Sequence, residues 1–197
     1  ADIDVTQYRS LPDLMTDSFR RYAQRPAFTF LDHALTYAEV DRLSAAFGAW
    51  LQGQGLARGA RVAIMMPNVL QYPVALAGVL RAGYVVVNVN PLYTPRELEH
   101  QLRDSGAEAI VILENFAVTL QQVIARTAIK HVIVTSIGDL LGFPKSAVVN
   151  FAVRRIRKMV PPYSLPRALR FTDVLEEGHG GRLERVAVLV AGPRVLA

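Results

Sequence analysis

Four short runs rich in Val and Ile recur along this chain, at 62–65, 85–89, 110–113 and 132–135. The segments between them carry apolar residues at helical spacing. A strand that is apolar on both faces needs cover on both faces, and helices linking consecutive strands supply it. The alternation therefore predicts an α/β fold with a largely parallel sheet and helices on both faces. The composition supports such a core, with 51% of the 197 residues apolar and 20% charged, unlike a disordered chain.

The flanking segments read as follows. Positions 11–22 predict a helix with Leu11, Leu14, Met15, Phe19 and Tyr22 on one face. Positions 27–31 and 34–36 predict a hairpin turning at Asp32-His33. Thr36 with Glu39 forms a capping box for a helix running to 52, with Val40, Leu43, Ala46, Phe47, Trp50 and Leu51 inward. Helices are also expected at 69–81, at 94–106 behind Thr94, Pro95 and Glu97, and at 116–126. Asn68 is the expected cap of the first of these. Beyond Gly138 the pattern changes, with an amphipathic helix at 146–159, a Pro-interrupted stretch and a short helix at 171–176. Gly178, Gly180 and Gly181 then read as a flexible joint, followed by one more strand at 186–190. A strand so close to the last residue predicts that the chain is one partial domain. Its parts are 8–57, the alternating core 58–137, a basic helical segment 143–170 and a tail 171–197.

Several function classes are disfavoured. There are no cysteines, so disulfides and thiolate metal sites are excluded. His33, His100, His131 and His179 fall at no metal-ligand spacing. Gly53, Gly55 and Gly59 follow a helix and precede a strand, the wrong context for a dinucleotide loop. No phosphate loop of the G-x-x-x-x-G-K-[ST] type and no nucleophile elbow occurs. The residues alone name no catalytic group. The apolar stretch 70–92 is interrupted by Pro73, Arg81, Asn88, Asn90 and Pro91, which argues against a membrane span. The first ten residues are polar and acidic, not a signal peptide, so a cytoplasmic chain is expected.

Several motifs, taken in order, carry a resemblance. They are Leu35-Thr36-Tyr37-Ala38-Glu39, Arg61-Val62-Ala63-Ile64-Met65-Met66-Pro67-Asn68, Arg81-Ala82-Gly83 through Asn88-Val89-Asn90-Pro91, and Thr94-Pro95-Arg96-Glu97-Leu98 through Asp104-Ser105-Gly106. Together they resemble the N-terminal part of the AMP-forming acyl- and aryl-CoA synthetases, the adenylate-forming superfamily. The wording Met66-Pro67-Asn68-Val69-Leu70-Gln71-Tyr72-Pro73 and Asn90-Pro91-Leu92-Tyr93 is similar to the bacterial long-chain fatty acid–CoA ligases, as are Val149-Asn150-Phe151 and Leu165-Pro166. The likeness covers about 7–177. Gly59-Ala60-Arg61 departs from the family's commoner Gly-Asp-Arg, and 186–197 does not lead into the Thr/Ser/Gly-rich phosphate loop with which the family continues.

The resemblance implies an enzyme that joins a fatty acid to ATP as an acyl-adenylate and passes the acyl group to CoA. The whole enzyme would use ATP, CoA and Mg, none of them held by these residues alone, and a homodimer is a possible assembly. It also implies that Asn90-Pro91-Leu92 flanks the pantetheine of CoA, although turn chemistry alone accounts for these residues. Phe47, Trp50 and Tyr72 are candidates for an acyl channel, but their helical spacing favours core. The competing reading is a free-standing α/β module that binds CoA, a nucleotide or a protein.

The charge is uneven. Lys145, Arg154, Arg155, Arg157, Lys158, Arg167 and Arg170 lie in 140–172, which holds no Asp or Glu, and these seven exceed the net charge of +5. Val148, Ala152, Ile156 and Met159 form one helical stripe, with Arg154, Arg155, Arg157 and Lys158 off it. That pattern predicts a membrane-surface site at the inner face, or a solvated face on a helix packed against its own domain. Without interleaved aromatics it does not suit nucleic acid.

Overall fold

A computed structural model describes residues 7–184 and 186. Helix α1 (Leu11–Arg21) is capped by Ser10, whose Oγ accepts the Asp13 N–H at 3.2 Å. A hairpin follows, β1 (Pro26–Phe30) with β2 (His33–Thr36). Its turn is Leu31-Asp32, both at positive φ, one residue earlier than expected. Two such residues give the turn whose twist matches the strands. Helix α2 (Tyr37–Gln52) starts with the predicted capping box: Thr36 Oγ1 accepts the Glu39 N–H, and Glu39 accepts the Thr36 N–H at 2.7 Å.

The alternating core comprises β3 (Arg61–Met65), α3 (Gln71–Arg81), β4 (Val85–Asn88), α4 (Pro95–Ser105), β5 (Ala109–Leu113), α5 (Ala117–Gln121) and β6 (His131–Thr135). All four strands are paired in parallel in the order β4-β3-β5-β6. Two residues, β7 (Leu169–Arg170), extend the sheet in parallel beside β6 and lead into α7 (Phe171–Gly178).

The period of two in each strand divides the interior into two cores. Val62 and Ile64 of β3, Val111 of β5 and Ile133 of β6 face α2, α3 and α7, where Phe47, Val74 and Phe171 pack. Ala63, Met65, Ile110, Ile112 and Val132 face the other way, against Leu98 and Leu102 of α4 and Leu120 of α5. So α3 and α4 lie on opposite faces of the sheet. The two-sided cover inferred from the apolar runs is present.

Four local expectations fail. Asn68 caps nothing, because α3 starts at Gln71 after Leu70 and has no side-chain cap. The helix expected at 116–126 is broken into 3-10 turns at Glu114–Phe116 and Ile124–Arg126 around the short α5. Its Val118, Thr119, Val123 and Ile124 are β-branched, and such residues lose χ1 freedom in a helix. Gly178 is no flexible joint: it ends α7 and is buried, and a Cβ there would collide with the Ala46 carbonyl of α2. On α1, Leu11 is exposed while Phe19 is buried. The strand expected at 186–190 lies, Val186 apart, outside the described residues.

Candidate functional site

In a parallel sheet all strands end on one edge, and ligands collect where neighbouring connections leave toward opposite faces. One such place lies between β3 and β4, whose following helices α3 and α4 cover opposite faces. A cleft of about 400 Å³ opens there, lined by Ile64, Met66, Pro67, Asn68, Tyr72, Asn88, Val89, Asn90 and Pro91. The two Pro-Asn turns that the sequence presents separately are thus the two walls of one cleft.

Asn90 and Pro91 line it; Leu92 does not and stands 80% exposed. Asn90 Oδ1 accepts the Leu92 N–H at 3.0 Å, a local turn bond that fixes the loop. The Tyr72 hydroxyl donates to Asn88 Oδ1 at 3.0 Å, joining α3 to the end of β4. Tyr72 therefore belongs to the cleft, whereas Phe47 and Trp50 are core: they stack at 6.5 Å between centroids, and Trp50 Nε1 donates to Glu177 at 3.0 Å. Beside Tyr72, Gln71 is buried and donates to the Ser136 carbonyl at 2.7 Å, while its Oε1 has no partner. Neither contact carries a sequence signal, since each depends on which loops the sheet order brings together.

At the ends of β5 and β6 a polar cluster holds the basic segment. Helix α6 (Lys145–Phe151) continues as a π-helical turn, Ala152–Ile156, where the Arg157 N–H reaches the Ala152 carbonyl at 2.8 Å. Arg154 turns inward. Its Nε and Nη2 donate to the buried Glu114 carboxylate at 2.7–3.0 Å, and Nη2 also donates to Ser136 Oγ at 2.8 Å. Hydrogen bonding to that carboxylate holds the guanidinium above its ordinary pKa. Arg154 is thus removed from the expected membrane-facing set, because it is the counter-ion of a buried acid. Arg155, Arg157 and Lys158 are exposed. The stripe does not pack against the domain either: Val148, Ile156 and Met159 are exposed. The helix packs on the domain through Val149, Asn150 and Arg154, off that stripe.

Among the described residues no group of three or more His, Cys, Asp or Glu could hold a metal ion, and no helix is long and apolar enough to cross a membrane.

A two-faced parallel α/β unit with its cleft at the carboxyl edge is an architecture shared by many functions, so the class is shown by sequence. A family model described as AMP-binding enzyme matches residues 15–173, and the chain belongs to that family. Over 179 residues it is 55% identical to a long-chain-fatty-acid–CoA ligase of Escherichia coli O6:H1, covering 90% of this chain and 32% of that protein. A ligase of the same name from Haemophilus influenzae is 51% identical over 177 residues, 89% of this chain and 32% of the relative. The chain spans about a third of the length of these curated relatives. Among solved structures, the anthranilate CoA ligase AuaEII with anthranoyl-AMP matches at TM-score 0.70 and 18% identity, covering 92% of this chain and 30% of that one. A long-chain-fatty-acid–CoA ligase from Archaeoglobus fulgidus matches at TM-score 0.65 and 18% identity, covering 90% and 32%. At such identities the likeness concerns the fold alone.

Proposed function

We propose that these residues form part of an AMP-forming long-chain fatty acid–CoA ligase, which activates a fatty acid with Mg-ATP and transfers the acyl group to CoA. The observation that carries this reading is the 55% identity to a ligase of that name over 90% of the chain. The cleft between β3 and β4 then lies on the thioester-forming side. Asn90 and Pro91 form one wall, and Asn68 and Tyr72 the other, of a passage for the pantetheine arm. Its walls combine apolar surface from Ile64, Met66 and Val89 with the amides of Asn68, Asn88 and Asn90. An uncharged chain carrying amide groups suits such a lining. The setting proposed for the whole enzyme is the cytoplasm, close to the inner face of the membrane, where its amphiphilic substrate partitions.

The adenylation step needs donors fixed around the phosphates. No Thr/Ser/Gly-rich loop ending in Lys-Gly, the phosphate loop of the family, stands among these 197 residues, and the isolated chain is proposed to be inactive. The test is therefore a hybrid, in which this chain replaces the aligned third of the E. coli relative. Fatty-acid-dependent acyl-CoA formation by a folded hybrid is expected. A folded hybrid that forms neither acyl-adenylate nor acyl-CoA would reject the proposal.

A further inference from the structure

We propose that the outward face of 143–159 is a docking surface for an anionic lipid bilayer. A surface helix usually turns its apolar side inward, but here only part of the apolar surface does so, through Val149. Lys145, Asn150 and Arg154 also face the domain, whereas Arg155, Arg157 and Lys158 face out. Asn150 accepts the Gly138 N–H at 2.8 Å and donates to Asp139 at 3.0 Å. Arg154 is held by Glu114 and Ser136. Lys145 donates to the Leu31 carbonyl of the hairpin. Asn115 donates to the Met159 carbonyl at 3.0 Å. Held by these ties, the segment leaves Phe143 90%, Val148 64%, Phe151 60%, Ile156 68% and Met159 54% exposed.

Single exposed apolar residues are ordinary, but five within 17 positions on a segment anchored by four polar ties are not. The anchors also make the face rigid. Gly138 sits so close to the segment that a Cβ would lie 2.7 Å from Asn150 Oδ1 and 2.8 Å from the Ser146 carbonyl. The π-turn inserts one residue into the helical repeat. Past it, Lys158 takes a left-handed φ of 50°, so the chain turns back at once and Met159 stays at the patch.

The charge selects the occupant. Arg155, Arg157 and Lys158 stand beside the apolar residues, and none of them forms an ion pair among the described residues. No Asp or Glu occurs from 140 to 172 to compensate them. Apolar side chains that enter the acyl boundary, flanked by cations at headgroup level, fit a negatively charged lipid surface. The inference stands on this surface and does not depend on the proposed activity.

The experiment is co-sedimentation of the chain with vesicles of phosphatidylcholine alone or with phosphatidylglycerol added. Binding is expected only with phosphatidylglycerol and should fall as salt rises. Arg155→Gln/Arg157→Gln/Lys158→Gln should weaken the partition by about 100-fold, from about fivefold per cation. Phe143→Ser/Ile156→Ser/Met159→Ser should weaken it as well, with an unchanged circular dichroism spectrum. The chain has no cysteine, so a polarity-sensitive dye on Ile156→Cys reports the face directly. It should shift blue on the anionic vesicles, while the same dye on Asp104→Cys of α4 should not. Equal recovery with both vesicle types, no recovery with either, or dyes that respond alike would overturn the proposal and assign the face to cover by protein.

Discussion

Removing the Arg154 side chain isolates the energetics of the basic segment. The Glu114 side chain is 3% exposed and that of Arg154 46%. Arg154 supplies every side-chain hydrogen bond that Glu114 accepts among the described contacts. Breaking a fully buried pair costs about 3–5 kcal/mol, because one charge is stranded. Arg154 is half in water, and its loss admits solvent to the carboxylate, so about 2–3 kcal/mol is expected for Arg154→Ala. Glu114→Gln strands only the half-exposed guanidinium and should cost about 1 kcal/mol. The double variant, with no buried charge left, should cost little more than Glu114→Gln, giving a coupling of about 2 kcal/mol. Trp50 is the only tryptophan; it is buried against Phe47 and reports unfolding by fluorescence. With a urea slope of about 2.5 kcal/mol/M, Arg154→Ala should lower the midpoint by about 1 M. A shift below about 0.2 M, or strictly additive single effects, would refute the reading of Arg154 as the counter-ion of a buried acid.

Gly178→Ala should destabilise by roughly 1–3 kcal/mol or more, since its Cβ meets the backbone of α2 and the clash cannot be relieved by a rotamer change; a urea midpoint equal to the parent's would contradict this. Thr36→Ala should cost about 1 kcal/mol at neutral pH through the capping box of α2. The Thr36 N–H and hydroxyl hold the Glu39 carboxyl below its usual pKa. That contribution is therefore complete above the unfolded carboxylate value and is lost as pH falls through the lower folded one. The gap between parent and variant urea midpoints should thus narrow in acid without closing, since the Glu39 N–H bond to Thr36 Oγ1 does not titrate, and a gap independent of pH would disprove the coupling. The isolated chain should support no fatty-acid-dependent exchange of pyrophosphate into ATP, and clear turnover would show that these residues contain an adenylation site.

The parallel sheet was legible because its strands are short, β-branched and buried on both faces, a pattern visible in Arg61–Met65 and Ala109–Leu113 without any partner. Both capping boxes, Thr36 with Glu39 and Thr94 with Glu97, were legible because they are local in sequence. The cleft was only half legible. Its turns could be read, but their meeting depends on β4 lying beside β3 while β5 takes the other side. Arg154 was misplaced because its partner, Glu114, lies 40 residues away, and helical periodicity cannot reveal a distant buried acid. The π-turn after Phe151 carries no composition signal that distinguishes it from an ordinary helix end.

The two half-reactions of the hybrid separate a β3/β4 cleft that serves the proposed thioester-forming step from one with any other role. Tyr72→Ala and Asn90→Ala should leave fatty-acid-dependent ATP–pyrophosphate exchange close to the unsubstituted hybrid while raising the KM for CoA by about tenfold each, the loss of roughly one good contact. Exchange and CoA transfer falling together, or a KM for CoA unmoved in both variants, would contradict the account.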